Sequence, residues 1–177
     1  MATRPEYVAK RAASLSNPVT NAVPFSVYDS AAQPTLAAAV YVPLQSGVYA
    51  VAFRVTARGR FTTGTSGNAA ISLQWGNSTA ASTNTVVCAP TTQTCADYCC
   101  YYLEATFAWD GTKKQLTNTY WAINGSTNVL VAPVAGTTVT GVDLTTGTSN
   151  AIVAAALFGT SNAGNIAYLD KLSLEVL

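Results

Sequence analysis

The chain has 177 residues, of which nine are Lys or Arg, eight are Asp or Glu, and none is His. The charged share is 10%, against about 25% in an ordinary soluble domain. A hydrophobic share of 49% excludes a disordered chain, and a net charge of +1 gives little pull on nucleic acid. Without imidazole the chain lacks the side chain best suited to proton transfer near neutral pH, so a structural or binding protein is expected rather than an enzyme. A surface this poor in charge is expected to be covered by partner subunits.

Residues 1–24 read as an extended N-terminal arm that carries Arg4, Lys10 and Arg11 and is broken by Asn17, Pro18 and Asn21. Val8 to Leu15 could add a turn or two of helix before Pro18 stops it. The arm has no apolar block, so no secretory leader is expected and the chain is expected to be made and retained in a cytoplasm or released only by lysis, as a virion component assembled there would be. Residues 25–177 read as one all-β domain. A strand over Leu36–Leu44 is followed by the clearest alternation in the chain. Tyr49, Val51, Phe53, Val55 and Ala57 fall on one face there, with Arg54, Thr56 and Arg58 on the other. Thr62 to Asn68 is turn chemistry. Ile71, Leu73 and Trp75 then alternate with Ser72 and Gln74, and Val86–Cys88 is a short strand.

Asp110-Gly111 and Asn124-Gly125 mark the turns of a three-stranded meander built from Cys100–Trp109, Leu116–Ile123 and the strand after it. The apolar pattern suggests that Leu116 opposes Phe107, that Tyr120 opposes Leu103, and that Tyr120 also meets Val129. Val139–Leu144, Ala151–Phe158 and Ile166–Val176 complete about eight to ten strands, which a two-sheet antiparallel β-sandwich, a jelly roll, accommodates best. The apolar run Ala151–Phe158 suits a buried strand and is far short of the roughly 20 residues of a membrane-spanning helix.

Four cysteines cluster at positions 88, 95, 99 and 100. Their spacing does not match zinc knuckles. The alternatives are small buried hydrophobes or a disulfide from Cys88 to Cys95 or to Cys99. Asp110 belongs to its turn, and Glu104 and Glu175 alternate with apolar neighbours as solvent-facing strand residues do. No phosphate loop and no nucleophile–histidine pair exists, so no cofactor and no catalytic residue is expected. Arg54, Arg58 and Arg60 form a ladder on one strand face, suited to an acidic neighbour, to a sugar acid, or simply to solvent. Of the aromatic residues in the meander, Tyr102 and Trp121 face away from the inward set and suit a sugar or another chain.

Two segments carry a resemblance. Gly47-Val48-Tyr49-Ala50-Val51-Ala52-Phe53-Arg54-Val55 resembles an early strand of jelly-roll carbohydrate-binding modules, and Tyr168-Leu169-Asp170-Lys171-Leu172-Ser173-Leu174 resembles their closing strand. The whole sandwich pattern is similar to head-decoration (cement) proteins of tailed bacteriophages. That second likeness implies a virion protein that binds the major capsid protein and copies of itself, as a trimer. Arg4, Lys10, Arg11, Arg54, Arg58, Arg60, Tyr102 and Trp121 would then be contact residues. The first implies glycan binding, by a free module or a receptor-binding tip. A small-virus coat protein shares the fold but needs a more basic arm.

Overall fold

The computed structural model describes residues 6–9, 15–16, 25–26, 39–41, 50–63, 69–76, 84–90, 99–124, 129–145, 150–158 and 165–177. The described residues are all strand and turn, in chain order β1 (Glu6–Ala9), β2 (Leu15–Ser16), β3 (Phe25–Ser26), β4 (Ala39–Tyr41), β5 (Val51–Thr63), β6 (Ala69–Trp75), β7 (Thr85–Cys88), β8 (Cys99–Asp110), β9 (Gln115–Asn124), β10 (Val129–Ala135), β11 (Val139–Thr140), β12 (Ala151–Phe158) and β13 (Asn165–Val176). They form two antiparallel sheets. The eight-stranded sheet A runs β1-β13-β5-β8-β9-β10, with β2 on β13 and β11 on β9. The five-stranded sheet B runs β3-β12-β6-β7, with β4 on β12.

This order is that of a long antiparallel ribbon rolled up. The ribbon pairs β1 with β13, β3 and β4 with β12, β5 with β8, and β6 with β7; rolling it brings β13 against β5 and β12 against β6. The chain is therefore a jelly roll, extended beyond β8 by the added β9–β10 strands. Two pieces of the segment expected to form an extended arm, β1 and β2, are hydrogen-bonded to the chain's own β13.

The alternation predicted for β5 holds as far as Phe61, and the strand itself runs to Thr63, so Thr62 and Thr63, expected in the turn, are buried strand residues. Phe53, Val55, Ala57 and Phe61 are buried, as are Leu103, Ala105, Phe107 and Trp109 on β8. Phe53 pairs with Phe107 across the strands, their rings stacked at 5.1 Å. Trp109 Nε1 donates to the Val142 carbonyl at 2.9 Å, so its one polar atom is satisfied in the core. The strand β12 coincides with the expected Ala151–Phe158, and Ala151 to Ala156 are buried on both faces. That explains why this run does not alternate.

The β8–β9 register differs from expectation by two residues: Leu116 opposes Trp109 and Tyr120 opposes Ala105. A shift of two keeps the same side chains inward, which is why the apolar pattern could not distinguish the registers. Asp110 and Gln115 close the turn; Asp110 Oδ1 accepts from the backbone N–H of Thr112 and Lys113, and Lys114, not Gly111, takes the positive φ of 49°. On the far side Tyr120 opposes Val134 rather than Val129. The register breaks between Val131 and Val134, where Pro133 cannot donate a ladder hydrogen bond.

A seam ties sheet B to sheet A beside β7. Cys88 Sγ donates to Asn118 Oδ1 at 3.2 Å, Thr137 N–H to the Val87 carbonyl at 2.9 Å, and the Tyr120 hydroxyl to the Ala89 carbonyl at 3.1 Å. Burial pushes the Cys88 thiol up to about 12, so it stays protonated and able to donate.

Candidate functional site

The site lies on the outer face of sheet A. Period-two geometry turns Arg54, Thr56 and Arg58 of β5 outward, together with Tyr102 and Glu104 of β8 and Trp121 of β9. The strand β13 contributes Lys171, Ser173 and Glu175 because it carries a bulge. Leu169 pairs with Gly59 and Lys171 with Arg58, leaving Asp170 as an extra residue. The bulge switches the inward set from Ala167 and Leu169 to Leu172 and Leu174, and it brings Lys171 out beside Arg58.

Together Arg54, Thr56, Arg58, Tyr102, Glu104, Lys171, Ser173 and Glu175 line a groove of about 270 Å³. Glu104 is its hub. One carboxylate oxygen accepts from the Tyr102 hydroxyl at 2.8 Å; the other accepts from Trp121 Nε1 at 3.3 Å and lies 3.6 Å from Arg54 Nε. Arg54 also lies 3.6 Å from Glu175. These ion pairs are longer than hydrogen bonds, and the buried Nε of Arg54 has no hydrogen-bond acceptor. Tyr102 and Trp121 stack at 4.8 Å with a 29° tilt, so the indole backs the phenol that lines the groove. Burial, then the hydrogen bond to Glu104 and that carboxylate's charge, raises the Tyr102 phenol above its usual value; Thr56 and Arg54 act the other way. Tyr102 therefore stays a neutral donor at any ordinary pH.

The predicted contact residues separate into groups. Arg54, Arg58, Tyr102 and Trp121 come together here. Arg60 stands further along β5, 3.6 Å from Asp170. Arg4, Lys10 and Arg11 lie outside the described residues. Sequence reasoning passed over Glu104 and Glu175 as plain solvent-facing residues and did not single out Thr56, Lys171 or Ser173. The available signal was the pattern Tyr102-Leu103-Glu104, which places a carboxylate on the same face as the outward tyrosine.

The cysteines need a correction. Cys88 is a free, buried thiol and Cys100 a free, exposed one, so of the two alternatives for Cys88 the small buried side chain holds and the bridge to Cys95 or Cys99 does not form. Cys99 is disulfide-bonded, and its partner lies outside the described residues, as does Cys95. The Cys88 thiol instead serves the seam with Asn118. Among the described residues no three Cys, Asp or Glu side chains converge as metal ligands.

No protein family and no curated protein matches the sequence. Among solved structures the chain is similar to lectin I-B4 from Griffonia simplicifolia in its metal-free form, over 97% of this chain and 91% of that one, at 13% identity and a TM-score of 0.34. A likeness this distant carries no argument about the site.

Proposed function

We propose that the chain is a saccharide-binding jelly-roll module that holds its ligand on the outer face of sheet A. The carrying observation is Arg54, suspended between Glu104 and Glu175 at 3.6 Å without a hydrogen bond, in a groove walled by Tyr102. A sugar hydroxyl both donates and accepts, so it can bridge a guanidinium and a carboxylate that stand slightly too far apart to bond each other. Thr56 and Ser173 add hydroxyls, and the tyrosine ring offers an apolar surface to the C–H face of a pyranose. The groove lies at the small end of ligand pockets, which run about 300–1,000 Å³, and suits a short stretch of glycan rather than a large apolar ligand. A glycan array probed with the wild-type chain and with Tyr102→Ala tests this. Binding by wild type that the substitution abolishes supports the reading; an array with no wild-type signal refutes it.

A second reading is a virion structural protein of the decoration type, associating with capsid protein and with its own copies. Its support is the sparse charge, which extends to all five strands of sheet B: none carries an Asp, Glu, Lys or Arg. Co-sedimentation with phage heads tests it, and a monomer that fails to pellet with them counts against it.

A further inference from the structure

The groove is a trench that runs across the strands, and its floor is a single cross-strand rung. Ser173 of β13 pairs with Thr56 of β5, and Thr56 with Glu104 of β8. Residues two positions away along each strand share the same face, and on both sides of the rung they are long. Glu175 and Arg54 form one bank; Lys171, Arg58 and Tyr102 form the other. The two shortest side chains thus lie between the longest, and that difference hollows the groove. Ser173 is only 6% exposed and lines the groove, yet its hydroxyl has no hydrogen-bond partner among the described residues. A buried hydroxyl left unpaired costs free energy that a ligand group can restore. The trench is closed at β8. From one bank the Tyr102 hydroxyl donates to Glu104 at 2.8 Å, and from the other Arg54 approaches Glu104 at 3.6 Å. Trp121 backs this closure, donating to Glu104 at 3.3 Å and stacking on Tyr102.

We infer that the groove takes the end of a glycan chain rather than its middle, and that Ser173 reads a hydroxyl of the terminal ring from beneath. This rests on the saccharide-binding reading above and specifies which part of the ligand is held. Two strand spacings, about 10 Å, separate the β13 rung position from the wall at β8, the length of one or two sugar rings. A chain that ran on through the groove would have to break the wall that Tyr102, Glu104 and Arg54 make together. A chain that stops there leaves it intact. The terminal ring also keeps the free hydroxyl that an internal ring spends on its linkage, and a serine hydroxyl can donate to it or accept from it.

The test uses gluco-, galacto- and manno-oligosaccharides of one to six rings, immobilised through their reducing ends, beside a matching set whose terminal ring is O-methylated. Wild type is expected to bind members of the free-ended set and to lose about tenfold or more on the methylated counterparts. By titration calorimetry the affinity should level off at two rings. The variant Ser173→Ala removes the hydroxyl and little volume, and melting curves confirm that it folds. It should bind roughly tenfold more weakly, and it should no longer distinguish a glycoside from the mono-deoxy analogue that wild type binds least. Affinity that keeps climbing beyond two rings, or indifference to the methyl groups, overturns end recognition and leaves the groove's role standing. A folded Ser173→Ala that binds and discriminates as wild type does overturns the part given to the serine. Binding to no member of either set overturns the saccharide reading as well.

Discussion

Replacing Glu104 with Gln removes one charge and almost no volume, and the structure sets the size of the effect. Two donors point at this carboxylate, the Tyr102 hydroxyl at 2.8 Å and Trp121 Nε1 at 3.3 Å, and Arg54 lies 3.6 Å away. A hydrogen bond to a charged acceptor contributes about 1.5–3 kcal/mol and a neutral one about 0.5–1.5, so the short tyrosine bond loses about 1 kcal/mol and the longer tryptophan bond less. The ion pair adds a few tenths at most, since the Arg54 side chain is 42% exposed and screened by water. The sum is about 2 kcal/mol, which in a domain of this length lowers the melting temperature by about 4–8 °C. The same substitution removes the two Glu104 contributions that raise the Tyr102 phenol, so Tyr102 should titrate at a lower pH than in wild type. Differential scanning calorimetry reads the first effect, and NMR of ring-labelled tyrosine reads the second. A variant that melts with wild type and leaves every tyrosine titration unmoved would show that Glu104 is not the hub.

Other outcomes follow from the same structure. In Gly136→Ala the new methyl would collide with Asn118 Oδ1 and the Val87 carbonyl, the two groups that anchor the seam between the sheets. A loss of about 1–3 kcal/mol in chemical denaturation is expected, and a neutral result would mean that the seam does not hold the sheets. With no histidine to titrate, stability should be flat from about pH 5 to 8. Above that range it should fall. The Cys88 thiol and the Tyr102 and Tyr120 phenols hold their protons more tightly when folded, so their contribution is complete below the unfolded values near 9.0 and 10.0 and is lost as pH rises through the folded ones. Asp143 works in the opposite direction. Its hydrogen bond from Lys114, together with those from Thr145, lowers its carboxyl, so that stability is present above its ordinary 3.8 and is lost as pH falls below it. Melting curves across pH check both limbs.

The jelly roll was legible because period-two alternation survives in β5 and β8, where one face meets the core and the other does not. The unalternating run of β12 was legible for the opposite reason, since both its faces are buried. Tyr102 and Trp121 were correctly turned outward by the same parity, which the two-residue difference in register does not disturb. What stayed hidden depends on contacts between strands distant in sequence. The bulge at Asp170 changes the parity of β13, and only the pair Asp170-Lys171 lodged between two leucines hints at it. Without that bulge Lys171 could not be placed beside Arg58, nor Glu175 near Arg54. Likewise, the Cys88 partner is Asn118, thirty residues away, and no cysteine spacing encodes it.

The indole N–H resonances observed while a saccharide is titrated in test the central claim most directly. Trp121 Nε1 donates to Glu104 in the groove, whereas Trp109 Nε1 is sealed in the core against Val142 and serves as an internal control. Saccharide binding at the groove predicts a saturable shift of the Trp121 signal with the Trp109 signal stationary. A Trp121 resonance that does not move while calorimetry reports bound saccharide would place the binding surface elsewhere on the molecule.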